Sequence, residues 1–172
     1  MIPVMTEIWL TGPVPGHHPL LMPVVHSLLQ VKAEIDALLP AVTDAQLWER
    51  PGGAASIGFH IRHIGGSTER LLTYVRGESL TREQLAASGR EAHEVVPRDV
   101  LAAEMHDRLD GMLAFLRTVP PDTLLDAKKV GRAGLPSTAI GLLFHIAEHA
   151  TRHAGQALTT ARVLGAARRI ST

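Results

Sequence analysis

The sequence contains no cysteine. That absence removes disulfides, iron–sulfur clusters, thiolate zinc sites and cysteine nucleophiles from the chemistry open to this chain. Aromatic residues are scarce, at 3%, so a core must be assembled from Leu, Val, Ile, Ala and Met. Such a core suits packed helices better than a sandwich or barrel, where β-branched and aromatic residues dominate. An excess of either charge is lacking too, since 17 basic residues balance 17 acidic ones. No nucleic-acid partner is expected, because phosphates demand a basic face. No run of about 18 apolar residues is present, so no membrane span is expected. The first residues, MIPVMTEIWLTGPVPGHHP, have no basic stretch followed by an apolar one, as a signal peptide would. The expected setting is cytoplasmic.

What the chain does have is helical periodicity and histidine. Its 172 residues fit one domain with a substantial core. Residues 1–19, with Pro3, Pro13, Pro15 and Pro19, read as an irregular arm. Residues 20–165 read as an all-α four-helix bundle with long interhelical connections, and 166–172 as a frayed tail. The first helix spans roughly 20–39, where Leu21, Val24, Val25, Leu28, Val31 and Ile35 recur at three- and four-residue steps before Pro40. After a loop over 40–55, Ser56 caps a second helix, 57–76, and Gly77 ends it. Gly58, Gly65 and Gly66 weaken that helix by about 1 kcal/mol each relative to alanine, and they also permit close approach of a neighbour. Thr81–Ser88 is a short helical turn, 98–118 a third helix, and 138–164 a fourth, with Ser137 as its cap and Gly165 at its close. No segment reads as a strand. The connections before and after the third helix run to about 20 residues each, and loops that long tend to be functional or to carry structure of their own.

The stretch HIAEHATRHAGQ places His145, His149 and His153 at four-residue intervals. Residues i and i+4 lie one turn apart on one helix face, the spacing by which a single helix supplies two metal ligands. Leu142 and Ile146 fall within ~60° of His149 on the helical wheel. His149 and His153 therefore face the bundle interior, and His145 sits at the edge. Burying two neutral imidazoles costs free energy unless their nitrogens find partners, and a metal is one such partner. A third ligand must come from another helix. FHIRH on the second helix offers His60 and His63, of which His60 lies nearer the apolar centre. The third helix offers His106.

Each of these residues has a plainer reading. A His pair at i,i+4 commonly decorates a surface, and inward histidines also occur as satisfied core groups. His106 reads as a core-edge or supporting residue, and His17, His18, His26 and His93 as solvated. Met105 and Met112 are core filling. Glu148 points ~100° away from His149 and reads as solvated or interfacial, not as a general base. There is no GxSxG elbow, phosphate-binding glycine loop or HExxH motif. The Glu-xx-His pairs of a di-iron bundle are not distributed over two helices.

Two stretches resemble the DinB-like superfamily of metal-binding four-helix bundles. SIGFHIRHIGGSTERLLTYVRG (56–77) is similar to its helix-2 pattern of Ser-Ile-Gly, four residues, His, and HIAEHATRHAGQ (145–156) to its Glu-His, three residues, His, one residue, Gly-Gln pattern. The resemblance implies His63, His149 and His153 as metal ligands. It leaves His60 as a packed or supporting residue, His145 as an extra histidine, and the arm with His17 and His18 outside the match. It implies one divalent ion per chain, zinc, nickel, cobalt or iron(II), with open positions as in catalytic sites. It further implies a homodimer. The family resemblance includes thiol S-transferases, a thiol-dependent isomerase and hydrolases. The expected function is a metal-dependent enzyme that activates a bound thiol or water, with a small-molecule thiol or electrophile as its partner. The alternatives are a non-catalytic metal-binding or stress-response helical dimer, and a helical dimer whose inward histidines are only core groups. Arg62, Arg70 and Arg152 are candidates for a cationic mouth, or else ordinary surface residues.

Overall fold

The computed structural model describes residues 7–166. Helices α1 (Met22–Leu38), α2 (Asp44–Trp48), α3 (Ile57–Val75), α4 (Arg82–Arg90), α5 (Arg98–Leu116) and α6 (Ala139–Val163) follow in chain order, with strands β1 (Ala127–Val130) and β2 (Leu135–Thr138) between the last two. The four long helices, α1, α3, α5 and α6, form the bundle. Their stripes are the expected ones. Leu28, Val31 and Ile35 of α1, Ile61 and Ile64 of α3, Leu109 and Met112 of α5, and Leu143 and Ile146 of α6 are all at most 1% exposed. Removing each such side chain from water stabilises the fold by about 1.5–3 kcal/mol.

α3 is the central element, packed on both α5 and α6. Small residues make that possible. A β-carbon at Gly65 would lie 3.3 Å from the Met105 Cα, so a larger residue would require α5 to give by a few tenths of an ångström. Across the other face, Ala147, Ala150, Ala154, Ala157 and Ala161 of α6 are buried. The helix ends follow local chemistry. Ser56 Oγ accepts from the Phe59 amide at 3.1 Å and starts α3. Gly77, at φ +80°, closes it, with Glu78 N–H on the Thr73 carbonyl.

Three expectations are corrected. The connection before α6 contains an antiparallel hairpin, with Ala127 opposite Thr138 and Val130 opposite Leu135. Its strands have four residues each, too few for alternation to show in the sequence. The cap of α6 is Thr138, whose hydroxyl accepts from Gly141 N–H at 3.1 Å. Ser137 instead donates its hydroxyl to the Thr138 carbonyl. The loop over 40–55 also holds α2, started by a capping box between Thr43 and Gln46.

The arm lies against the bundle, so two histidines expected in solvent are half-buried. His17 Nε2 is 3.1 Å from the Leu113 carbonyl. His26 Nε2 is 2.9 Å from the Gly12 carbonyl. His18 remains local, accepting from Leu20 N–H, and His93 is exposed as expected. His106 pairs with Asp36 at 2.7 Å on the rim of the bundle. The tail 166–172 falls outside the described residues except for Ala166.

Candidate metal centre

His63 on α3 and His149 and His153 on α6 meet at the contact between the two helices. Each offers one nitrogen, and the three nitrogens all lie within 4.8 Å of one another. Among the described residues this is the group of three or more potential ligands that gathers in this way. His63 Nε2 and His149 Nε2 are 3.0 Å apart. Two nitrogens held ~2.0–2.1 Å from one tetrahedral ion stand about 3.3 Å apart, so the spacing suits a shared cation.

The other nitrogens of these rings have unlike surroundings. His63 Nδ1 is 2.6 Å from Glu91 Oε2. His153 Nδ1 is 2.9 Å from His60 Nδ1. His149 Nδ1, on the far side of its ring from the His63 contact, is buried without a hydrogen-bond partner. With their Nδ1 atoms engaged, His63 and His153 keep Nε2 free for a ligand. A His63 tautomer that donates from Nδ1 to the carboxylate leaves a lone pair on Nε2.

Electrostatics keep most of the set in ligating form. Burial, and then the neighbouring imidazoles, push His149 down to about 4 and His153 down to about 3 from the usual 6.5. His60 falls to about 4, first by burial and then by His63. Rings this hard to protonate present lone pairs at neutral pH, as a metal requires. The donor set therefore fits a divalent ion.

Packing explains the placement. Phe59 stacks on His63, with ring centroids 5.3 Å apart and an interplanar angle of 16°. Its edge meets His153 at 6.2 Å. Trp48 of α2 covers this turn of α3, where a β-carbon at Gly58 would come within 2.7 Å of its ring. His60, 6% exposed, is the packed neighbour the resemblance implied. His145 stays at the edge with its Nδ1 on Glu148 at 2.6 Å. Glu148 is also held by Arg152 at 2.5 Å.

One residue escaped sequence reasoning. Glu91, in the turn after α4, is 4% exposed. Its Oε2 receives His63, and its Oε1 receives Arg70 Nη1 at 2.5 Å. Burial works to raise its pKa, but hydrogen bonds from His63 and Arg70 hold the carboxyl below the usual range. The nearest sequence signal was the Gly65-Gly66 pair, since a β-carbon at Gly66 would collide with Glu91 Oε1. Arg70 is thus neither a surface residue nor a free cation for a substrate. Arg62 is likewise engaged, with Glu94 at 2.8 Å. A cleft of about 350 Å³ between α3, α4 and α5 is lined by Arg62, Gly66, Arg70, Glu91 and Arg108. A recess of about 330 Å³ opens beside His60, Gly155 and Gln156.

A four-helix bundle with three histidines converging from two helices defines a class of metal-site proteins. The chain belongs to the DinB superfamily, whose family model matches residues 27–157. Among solved structures it is similar to YfiT from Bacillus subtilis, described as a probable metal-dependent hydrolase with an unusual four-helix bundle topology. The TM-score is 0.65 at 17% identity, covering 90% of this chain and 93% of that one. At that identity the likeness carries the fold alone. No curated protein matches the chain.

Proposed function

We propose that this protein is a metal-dependent enzyme that holds one divalent ion on His63, His149 and His153. The observation that carries the reading is the convergence of three imidazole nitrogens within 4.8 Å. Three protein ligands leave a coordination position open, the pattern of catalytic sites; structural zinc sites are closed. An ion held there supplies Lewis-acid chemistry, lowering the pKa of a water or thiol close to it. The chain's own part is to fix the ligands and keep their lone pairs free. Phe59 shields the His63 face from water by stacking on it. YfiT, which shares the fold, is described as a probable metal-dependent hydrolase, so water is taken ahead of a thiol as the group activated.

The proposal includes a small-molecule substrate, a homodimer and a cytoplasmic setting. No helix among the described residues is long and apolar enough to cross a membrane.

Metal analysis of protein purified without a polyhistidine tag tests the site. About one divalent ion per chain is expected, and His149→Ala should abolish it. Negligible metal in the parent would overturn the reading. The loaded protein is then assayed against simple esters and amides, and against electrophiles with a panel of thiols. Hydrolysis supports the favoured chemistry, and thiol transfer replaces it. Turnover of none of these would leave the second reading, a non-catalytic metal-binding protein.

A further inference from the structure

We infer that Glu91 is a positioning residue for the metal centre. It fixes the ring and tautomer of His63, so that the one ligand on α3 is aligned with the two on α6. This inference rests on the three-histidine reading of the site.

The three candidate ligands do not need the same help. His149 and His153 share a helix, and their four-residue spacing sets their relative positions. His63 comes from a different helix, and nothing in α6 determines how its ring turns. It is also the one whose outer nitrogen meets a carboxylate, at 2.6 Å. The outer nitrogen of His153 meets a neutral ring, and that of His149 meets nothing. A carboxylate on the far nitrogen of a ligating histidine selects the tautomer, fixes the ring plane and raises ligand basicity.

The surroundings of Glu91 are built for this task. Arg70 occupies Oε1 at 2.5 Å, which prevents the carboxylate from turning that oxygen toward an ion and becoming a ligand itself. Gly66 clears the space for the same oxygen. A structural ion pair alone would explain less. A buried pair gains little over apolar residues of the same size, and Arg70 needs no contact with His63 to be satisfied.

The test uses Glu91→Ala, Glu91→Gln and Gly66→Ala in the full chain, with zinc as the probe and a competing chelator to measure affinity. Glu91→Ala is expected to bind zinc about 10–100-fold more weakly than the parent. Glu91→Gln, which retains an acceptor oxygen, should fall between the two. Gly66→Ala should also weaken binding, although alanine favours the helix by about 1 kcal/mol. Nitrogen-15 NMR of the metal-free parent should show His63 protonated on Nδ1, and the Glu91→Ala spectrum should show that preference lost. The NMR arm on the parent stands even where a variant fails to fold. Zinc affinities within about twofold of the parent in all three variants, or a parent His63 protonated on Nε2, would overturn the inference while leaving the site itself intact. A parent that takes up no zinc would instead bring down the site reading, and the inference with it.

Discussion

Two connections of similar length flank α5, and they do opposite work. The one before it, residues 76–97, carries α4 and then turns Glu91 into the bundle, where it is 4% exposed. The one after it, residues 117–138, carries the β1–β2 hairpin, which leaves Lys129 and Arg132 in solvent. In the sequence both are long and polar, and only the first reads as carrying structure, the short helical turn over Thr81–Ser88. The difference lies in what receives them. α3 presents Gly66 and Arg70 to the first connection, a cleared space and a counter-charge together. The second docks through its backbone, with Ile140 N–H on the Leu124 carbonyl at 2.8 Å and Ala139 N–H on the Asp126 carbonyl at 3.0 Å. A buried charge needs a prepared partner, whereas a hairpin satisfies its own polar groups.

The sharpest way to break this comparison is to remove a charge from each side. Arg70→Leu strips Glu91 of its cation in a nearly dry place. The metal-free protein should lose about 3 kcal/mol in denaturant unfolding, the low end for breaking a buried pair, because His63 still donates to Glu91. Lys129→Ala on the hairpin should fall within about 0.5 kcal/mol of the parent. Equal losses would mean that Glu91 is no more embedded than the hairpin lysine.

That contrast also shows what was legible beforehand. The four long helices were, because each repeats its apolar residues at helical spacing over at least 17 residues. His149 and His153 were legible as an inward pair for the same reason. The choice between His60 and His63 was not legible from periodicity, because the wheel favoured His60; only the family resemblance pointed to His63. The structure buries both readings in one cluster: His60 supports His153, and His63 reaches His149. Glu91 had no signature, since a single carboxylate in a turn has no period, and its burial depends on residues 21 to 28 positions away. His17 and His26 were misjudged for a related reason. A proline-rich arm shows no stripe, yet its backbone carbonyls and rings can still pack on helices.

A milder cut separates the connections by their caps. Thr81 starts α4 through a capping box with Gln84, whose side chain also donates to Thr73 of α3 at 2.8 Å. Thr138 caps α6 at the end of the hairpin. Thr81→Ala and Thr138→Ala should each cost about 1 kcal/mol in thermal unfolding. Only Thr81→Ala is expected to weaken zinc binding, by at most about fivefold, because α4 carries the chain to Glu91. Equal effects on zinc from both variants would dissolve the distinction.

A last comparison is a pH slope, and it sets the histidine cluster against the rest of the metal-free molecule. His60, His149 and His153 sit at about 4, 4 and 3 in the folded chain, against the usual 6.5. Between those values the unfolded chain binds protons that the folded chain refuses. Stability then rises with pH. It should be fully present above about pH 7 and decline as pH falls from about 6.5 toward 4. The rings are only partly shut off from water, which softens the slope. His60→Gln removes one of the three refused protons. Its denaturation midpoint should therefore change less between pH 7 and pH 5 than that of the parent. A parent midpoint flat over that range would show that water reaches the cluster freely, and the contact between α3 and α6 would then be too open to hold His63 against His149 and His153 without an ion.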